Sequence, residues 1–111
     1  MRMTFEEFIE GNFPEDDYSL YIVWRGAECL YIGISKDNIW NRWFSRNGCH
    51  IRMTDNHMIG NSIIGREIVK NLPQSLQWTI ELREYKNLHR AEIDLIRELR
   101  PTYNRTYNYE R

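Results

Sequence analysis

The stretch Tyr18–Arg42, YSLYIVWRGAECLYIGISKDNIWNR, reads as two short strands around a tight turn, then a loop and the start of a helix. The strands are predicted at about Ser19–Trp24 and Leu30–Ser35, with Arg25-Gly26-Ala27-Glu28 as the turn. Alternation puts Leu20, Ile22 and Trp24 on one face of the first strand, and Tyr21 and Val23 on the other. On the second strand Leu30, Ile32 and Ile34 oppose Tyr31, Gly33 and Ser35. Any register that matches the apolar sets places Tyr21 and Tyr31 on one shared face. Gly33 leaves that face without a side chain just beyond Tyr31. A bulge or a twist accommodation would explain it, and so would room for a ligand backbone to approach.

Working outward, the 111 residues imply a single domain, 1–111, with a modest core. Residues 1–17 form an acidic N-terminal helix and extension, and 105–111 a C-terminal tail. Hydrophobic residues at 41% and aromatics at 14% describe a folded globule and exclude a disordered chain. The formal charge of −1 argues against a simple basic nucleic-acid binder. Its distribution argues the other way. Residues 1–17 hold one Arg against six acids, whereas 36–70 hold six bases against three acids. An acidic N-terminal segment thus masks a mildly basic remainder, although ordinary solvated surfaces would give the same pattern. The two cysteines, Cys29 and Cys49, have no framework spacing, which points to a reducing, cytoplasmic setting. No apolar run approaches the ~20 residues of a membrane span, and the N-terminus is too acidic for a signal peptide.

Thr4 and Glu7 have the form of a capping box, predicting a short helix from about Phe5 to Ile9, ended by Gly11 and Pro14. Asp37 or Asn38 caps a helix carrying Trp40, Arg42, Trp43 and Phe44, whose aromatics read as core rather than as base-stacking platforms. Arg46 to Met58 reads as a loop; its Cys49, His50 and His57 match no standard metal-ligand spacing. A helix follows over about Asn61–Asn71, with Pro73 beyond it. Leu76, Trp78, Ile80 and Leu82 alternate with polar residues as a half-buried strand. The last helix runs from about Leu88 to Leu99, capped by Asn87 and stopped by Pro101. Leu88, Ala91, Leu95, Ile96 and Leu99 make its apolar face, and Glu92 falls near the middle of that face. A carboxylate there costs several kcal/mol unless something pairs with it. A buried arginine would serve; so would a metal ion or a catalytic use. The tail TYNRTYNYER interleaves tyrosines with Arg105 and Arg111, a mix suited to stacking on bases and neutralising phosphates.

Taken together, these pieces resemble the GIY-YIG nuclease domain, found in homing endonucleases, some restriction enzymes and the incision nuclease of bacterial excision repair. Tyr31-Ile32-Gly33 matches its second motif, and AEIDLIRELRPTYN, from Ala91 to Asn104, is similar to its glutamate helix and Pro-x-Tyr-Asn ending. The polar positions Tyr21, Tyr31, Arg42, Glu92 and Asn104 occur in the family's order and span nearly the whole chain. Three departures stand out. Ser19 replaces the glycine of the first motif, Tyr31 and Arg42 are one residue further apart than in many relatives, and Ile34 stands where many carry a lysine. Lys36 is the nearest substitute.

The resemblance implies an α+β fold, a small three-stranded antiparallel sheet flanked by helices. It implies an endonuclease that hydrolyses DNA phosphodiesters, with RNA as the less favoured substrate. Mg²⁺ or Mn²⁺ would be held by Glu92. Arg42 would hold the scissile phosphate, Tyr21 and Tyr31 would position the attacking water, and Asn104 would brace the site. Lys36 and His50 are further proton-transfer or activating candidates. Lys36, Arg42, Arg46, Arg52 and Arg105 are the candidate nucleic-acid contacts. Specificity would be weak, would rest on DNA shape, or would come from a homo-oligomer or a partner protein that extends the contact surface. Two rival readings are a non-catalytic nucleic-acid-binding or regulatory module on the same fold, and a small adaptor using Tyr and Trp as interface anchors.

Overall fold

The structure is a computed structural model that describes residues 1–11, 13, 18–36, 38–45, 49–55 and 57–104. Pro14, the Glu15-Asp16-Asp17 run, Asp37, Arg46 and the tail from Arg105 lie outside the described residues. Strands β1 (Arg2–Thr4), β6 (Thr79–Arg83), β2 (Leu20–Arg25) and β3 (Glu28–Ile34) form one antiparallel sheet in that spatial order. Helices α1 (Phe5–Glu10), α2 (Ile39–Phe44) and α3 (Ile63–Lys70) pack on one face, and α4 (Leu88–Leu99) lies across β3 on the other. Strands β4 (Ile51–Met53) and β5 (Met58–Gly60) make a separate two-stranded hairpin. Among the described residues no helix is long and apolar enough to cross a membrane.

The local signals account for the helices. Thr4 and Glu7 form the full capping box: the Glu7 N–H donates to Thr4 Oγ1 at 3.2 Å, and the Thr4 N–H donates to Glu7 Oε1 at 3.0 Å. Gly11, at φ 75°, closes α1 in the left-handed region that glycine enters without penalty. Asn38, Ser62 and Asn87 cap α2, α3 and α4 with their side chains. The α2 aromatics are core: Trp43 and Phe44 are buried, and Trp43 meets the rings of Phe5, Phe8 and Tyr21.

Four expectations need correction. The sheet has four strands, not three: the three residues of β1 are too short to show an alternation, and their pairing with β6 makes them a strand. The expected loop from Arg46 to Met58 contains the β4–β5 hairpin, again too short for a periodic signal. The expected strand from Leu76 begins later. Gln74–Gln77 is a single 3₁₀ turn, stitched to α3 by Ser75 Oγ donating to the Ile68 carbonyl at 2.6 Å, and β6 starts at Thr79. Finally, Leu30 does not share a face with Ile32. The β2–β3 register shifts between Val23 and Trp24, whose partners are Tyr31 and Cys29, so Leu30 is the extra residue of a bulge. The bulge turns Leu30 into the core of the tyrosine face, beside Tyr21 and Val23, while Cys29 and Ile32 pack with Leu95 and Ile96 under α4.

The hairpin is seated against α3 by two close backbone approaches. A Cβ on Gly65 would lie 1.9 Å from the His50 carbonyl oxygen, and one on Gly60 would lie 2.4 Å from Arg66 Cα. Neither position has room for a side chain. Gly65→Ala is therefore expected to cost ~1–3 kcal/mol of stability or more, read as a lower urea midpoint. An unchanged midpoint would show that α3 and His50 do not approach so closely.

Candidate active site

The expected meeting of Tyr21 and Tyr31 on one face is present. Tyr21 pairs with Gly33 and Val23 with Tyr31, so the tyrosines are diagonal neighbours, with ring centroids 6.2 Å apart and planes 27° from parallel. Gly33 is explained by Tyr21 rather than by a ligand. A Cβ there would lie 2.3 Å from Tyr21 Oη, so the missing side chain is the space the phenol occupies. The two hydroxyls differ sharply in setting. Tyr21 is 1% exposed, whereas Tyr31 is only partly buried.

Tyr21 Oη lies 2.6 Å from His50 Nε2, and His50 Nδ1 lies 2.7 Å from Ser62 Oγ. Ser62 is also the N-cap of α3, accepting from the Gly65 N–H at 3.0 Å. A serine hydroxyl has one proton and two lone pairs. When Ser62 donates to Nδ1, the ring proton sits on Nε2 and is donated to Tyr21 Oη. When Ser62 accepts from Nδ1–H, Nε2 accepts the phenol proton. Both arrangements keep the imidazole neutral. His50 is 1% exposed, and burial, helped by the nearby Arg42 charge, pushes its pKa down from 6.5 to about 3. Burial also raises the pKa of Tyr21, with Tyr31 adding to the rise and Arg42 opposing it. His50 thus holds Tyr21 in place rather than drawing off its proton.

Arg42 sits in the last turn of α2, partly buried, and its carbonyl accepts from the His50 N–H at 3.4 Å. Its charge acts on Tyr21, Tyr31 and His50 alike. Burial raises the Tyr31 pKa; Arg42 opposes that rise and Glu92 adds to it. Glu92 therefore lies within electrostatic reach of both tyrosines, although α4 packs on the opposite face of the sheet. The link is position: β3 is the edge strand, and α4 lies against it. Glu92 is half-buried, and desolvation raises its pKa, opposed only by His89. Among the described residues no ion pair with a buried arginine accounts for it.

Asn104 braces the tyrosine strand directly. Its Nδ2 donates to the Ile32 carbonyl and its Oδ1 accepts from the Ile32 N–H, both at 2.8 Å. The Thr102 and Tyr103 N–H groups donate to the Cys29 and Leu30 carbonyls. The Pro-x-Tyr-Asn segment thus covers the free edge of β3 in place of a further strand. Asn104 is in this structure a positioning residue, one position from Tyr31.

Of the remaining candidates two are exposed and two lie outside the described residues. Lys36 is exposed after β3 and joins none of the described contacts, Arg52 is exposed on β4, and Arg46 and Arg105 lie outside the described residues. Among the described residues no group of three or more His, Cys, Asp or Glu side chains is placed to hold a metal. Ser62 is the participant that sequence reasoning missed. Its only sequence signal is as a helix cap, and nothing in the spacing ties it to His50. Comparison with protein-family models, with curated proteins and with solved structures gives no match.

The buried neutral imidazole carries a pH prediction. The unfolded chain takes up a proton at His50 near pH 6.5, whereas the folded protein takes it up only near pH 3. The stability contributed by the neutral ring is complete above pH 6.5 and is lost as pH falls towards 3, by at most about 1.4 kcal/mol per unit. Chemical denaturation between pH 7 and 4.5 is expected to show a shallower pH slope for His50→Gln than for the wild type. Parallel slopes would mean that His50 protonates freely in the fold.

Proposed function

We propose that the chain is a GIY-YIG-type endonuclease that hydrolyses phosphodiester bonds in DNA with Mg²⁺ or Mn²⁺. The observation that carries this reading is that Tyr21 and Tyr31 stack at 6.2 Å beside the Arg42 charge, with the half-buried Glu92 of α4 in electrostatic reach of both tyrosines. A core histidine network accounts for Tyr21, His50 and Ser62, but gives no reason for Glu92. A half-buried carboxylate with a raised pKa is a poor structural choice and a good seat for a hard cation. No observation favours the non-catalytic module or the adaptor over this reading.

In the proposed reaction a water oxygen attacks phosphorus and its proton passes to solvent, the new P–O bond forms, and the bond to the 3′ oxygen breaks, that oxygen leaving as a hydroxyl with a proton taken from solvent. Tyr31, the tyrosine with solvent access, orients the water through its hydroxyl. Tyr21, locked by His50 and Ser62, sets the floor beneath it and holds Tyr31 by ring contact. Arg42 binds a non-bridging phosphoryl oxygen and stabilises the charge that grows there. Glu92 would hold the divalent ion, which would supply positive charge to the phosphate and the leaving oxygen. Asn104 keeps Tyr31 in register through the Ile32 backbone. The neutral overall charge suits a site that holds phosphate through a few placed groups rather than through a wide basic surface.

The test is a panel of duplex, nicked, flap and branched DNAs with and without Mg²⁺. Arg42→Ala is expected to slow cleavage by ~10²–10³-fold, and Tyr31→Phe by ~10²–10⁴-fold, with both proteins keeping the wild-type urea midpoint. Wild-type rates for both variants would reduce the two side chains to packing residues and end the proposal.

A further inference from the structure

The β4–β5 hairpin takes no part in the chemistry above, yet it is rooted in the group that does. His50 immediately precedes β4, Ser62 lies two residues after β5, and the two are hydrogen-bonded to each other. The Asn61 N–H donates to the His50 carbonyl at 2.8 Å, closing the base of the ribbon. Ile51 anchors it in the core, with Met58 packed against that core. The far end is closed as firmly. The Thr54 N–H and Oγ1 both donate to the His57 carbonyl, at 2.9 and 2.8 Å, and the His57 N–H donates to Thr54 Oγ1 at 3.1 Å. Hydrogen bonds thus tie the ribbon at both ends, and an element fixed before binding loses less entropy on binding.

What the ribbon presents is specific. Arg52 is exposed, and Met53, at 37% exposure, is one of two exposed large hydrophobic side chains among the described residues. Register sets them on opposite faces: Arg52 pairs with Ile59, and Met53 with Met58. The sequence from Asn38 to Arg66 carries four arginines and a single acid, Asp55. Three strand residues reach about 10 Å from the His50 end, and a two-stranded ribbon is the width that the ~12 Å major groove of duplex DNA admits.

We infer that the β4–β5 hairpin is the duplex-DNA grip of this protein, entering the major groove beside the scissile phosphate with Arg52 on a backbone phosphate and Met53 against the base edges. The inference rests on the endonuclease reading and deepens it by naming the substrate as double-stranded. The apolar contact of Met53 favours thymine methyl groups, which line the major groove and not the minor.

The experiment uses the full chain with a fluorescein-labelled 24-base-pair duplex, binding read by anisotropy in the Glu92→Gln background across a salt series. Arg52→Ala is expected to reduce the slope of log K against log salt by about 1, with Arg52→Lys restoring it. Met53→Ser is expected to weaken binding several-fold without changing the slope. Methyl green, a major-groove ligand, is expected to displace the protein, and distamycin, a minor-groove ligand, to leave it bound. All variants should keep the wild-type urea midpoint, since the altered side chains are exposed. If the wild type cuts duplex DNA while the hairpin variants bind it with unchanged affinity and slope, or if distamycin is the competitor, the hairpin inference is overturned and the nuclease reading stands. If the wild type neither binds nor cuts any DNA of the panel, both are overturned together.

Discussion

The bond between Tyr21 Oη and His50 Nε2, 2.6 Å long and sealed from solvent, is the constraint on which the rest of the structure depends. It joins the central strand β2 to a segment 29 residues later and, through Ser62, to the first turn of α3. Breaking it leaves the buried Tyr21 hydroxyl and His50 Nε2 without this partner, at about 1–3 kcal/mol for each buried group left unsatisfied. The glycines follow from it. Gly33 is bare because the Tyr21 ring lies over it, and Gly65 is bare because the His50 carbonyl presses on α3. The burial that makes this bond firm also holds His50 neutral and Tyr21 protonated. Tyr21 is therefore locked in place, whereas Tyr31 keeps part of its surface open to solvent.

A second constraint acts from the other end of the chain. β3 is an edge strand, and such edges attract unwanted pairing. Here Thr102, Tyr103 and Asn104 occupy its hydrogen-bonding groups, and the Asn104 side chain takes both groups of Ile32. The same connection sets α4 against β3 and brings Glu92 within reach of both tyrosines from the opposite face of the sheet.

What could be read from the residues alone divides along physical lines. The α4 helix was legible because twelve residues of regular period carry a cap at one end and a stop at the other. Glu92 stood out because it breaks that period. The shared face of Tyr21 and Tyr31 followed from alternation, and the bulge at Leu30 did not, since an extra strand residue leaves no local mark. β1, β4 and β5 have three residues each, fewer than a period needs to show itself. The contrast between a locked Tyr21 and an accessible Tyr31, and the link from His50 to Ser62, are tertiary facts that no spacing encodes. The bracing role that the resemblance implies for Asn104 takes the form of two hydrogen bonds to the Ile32 backbone, a partner that no spacing names.

The central claim is that these groups form a water-activating, cation-assisted site for cutting DNA. Single-turnover cleavage of an end-labelled duplex in ¹⁸O-water, with Mg²⁺ or with a chelator, and with Glu92→Gln beside the wild type, tests it most directly. The account predicts cleavage by the wild type in Mg²⁺ alone, one ¹⁸O atom in the 5′-phosphate product, and no product from the Glu92→Gln protein. Cleavage that persists at full rate in Glu92→Gln or in chelator, or no cleavage by the wild type at all, would contradict it.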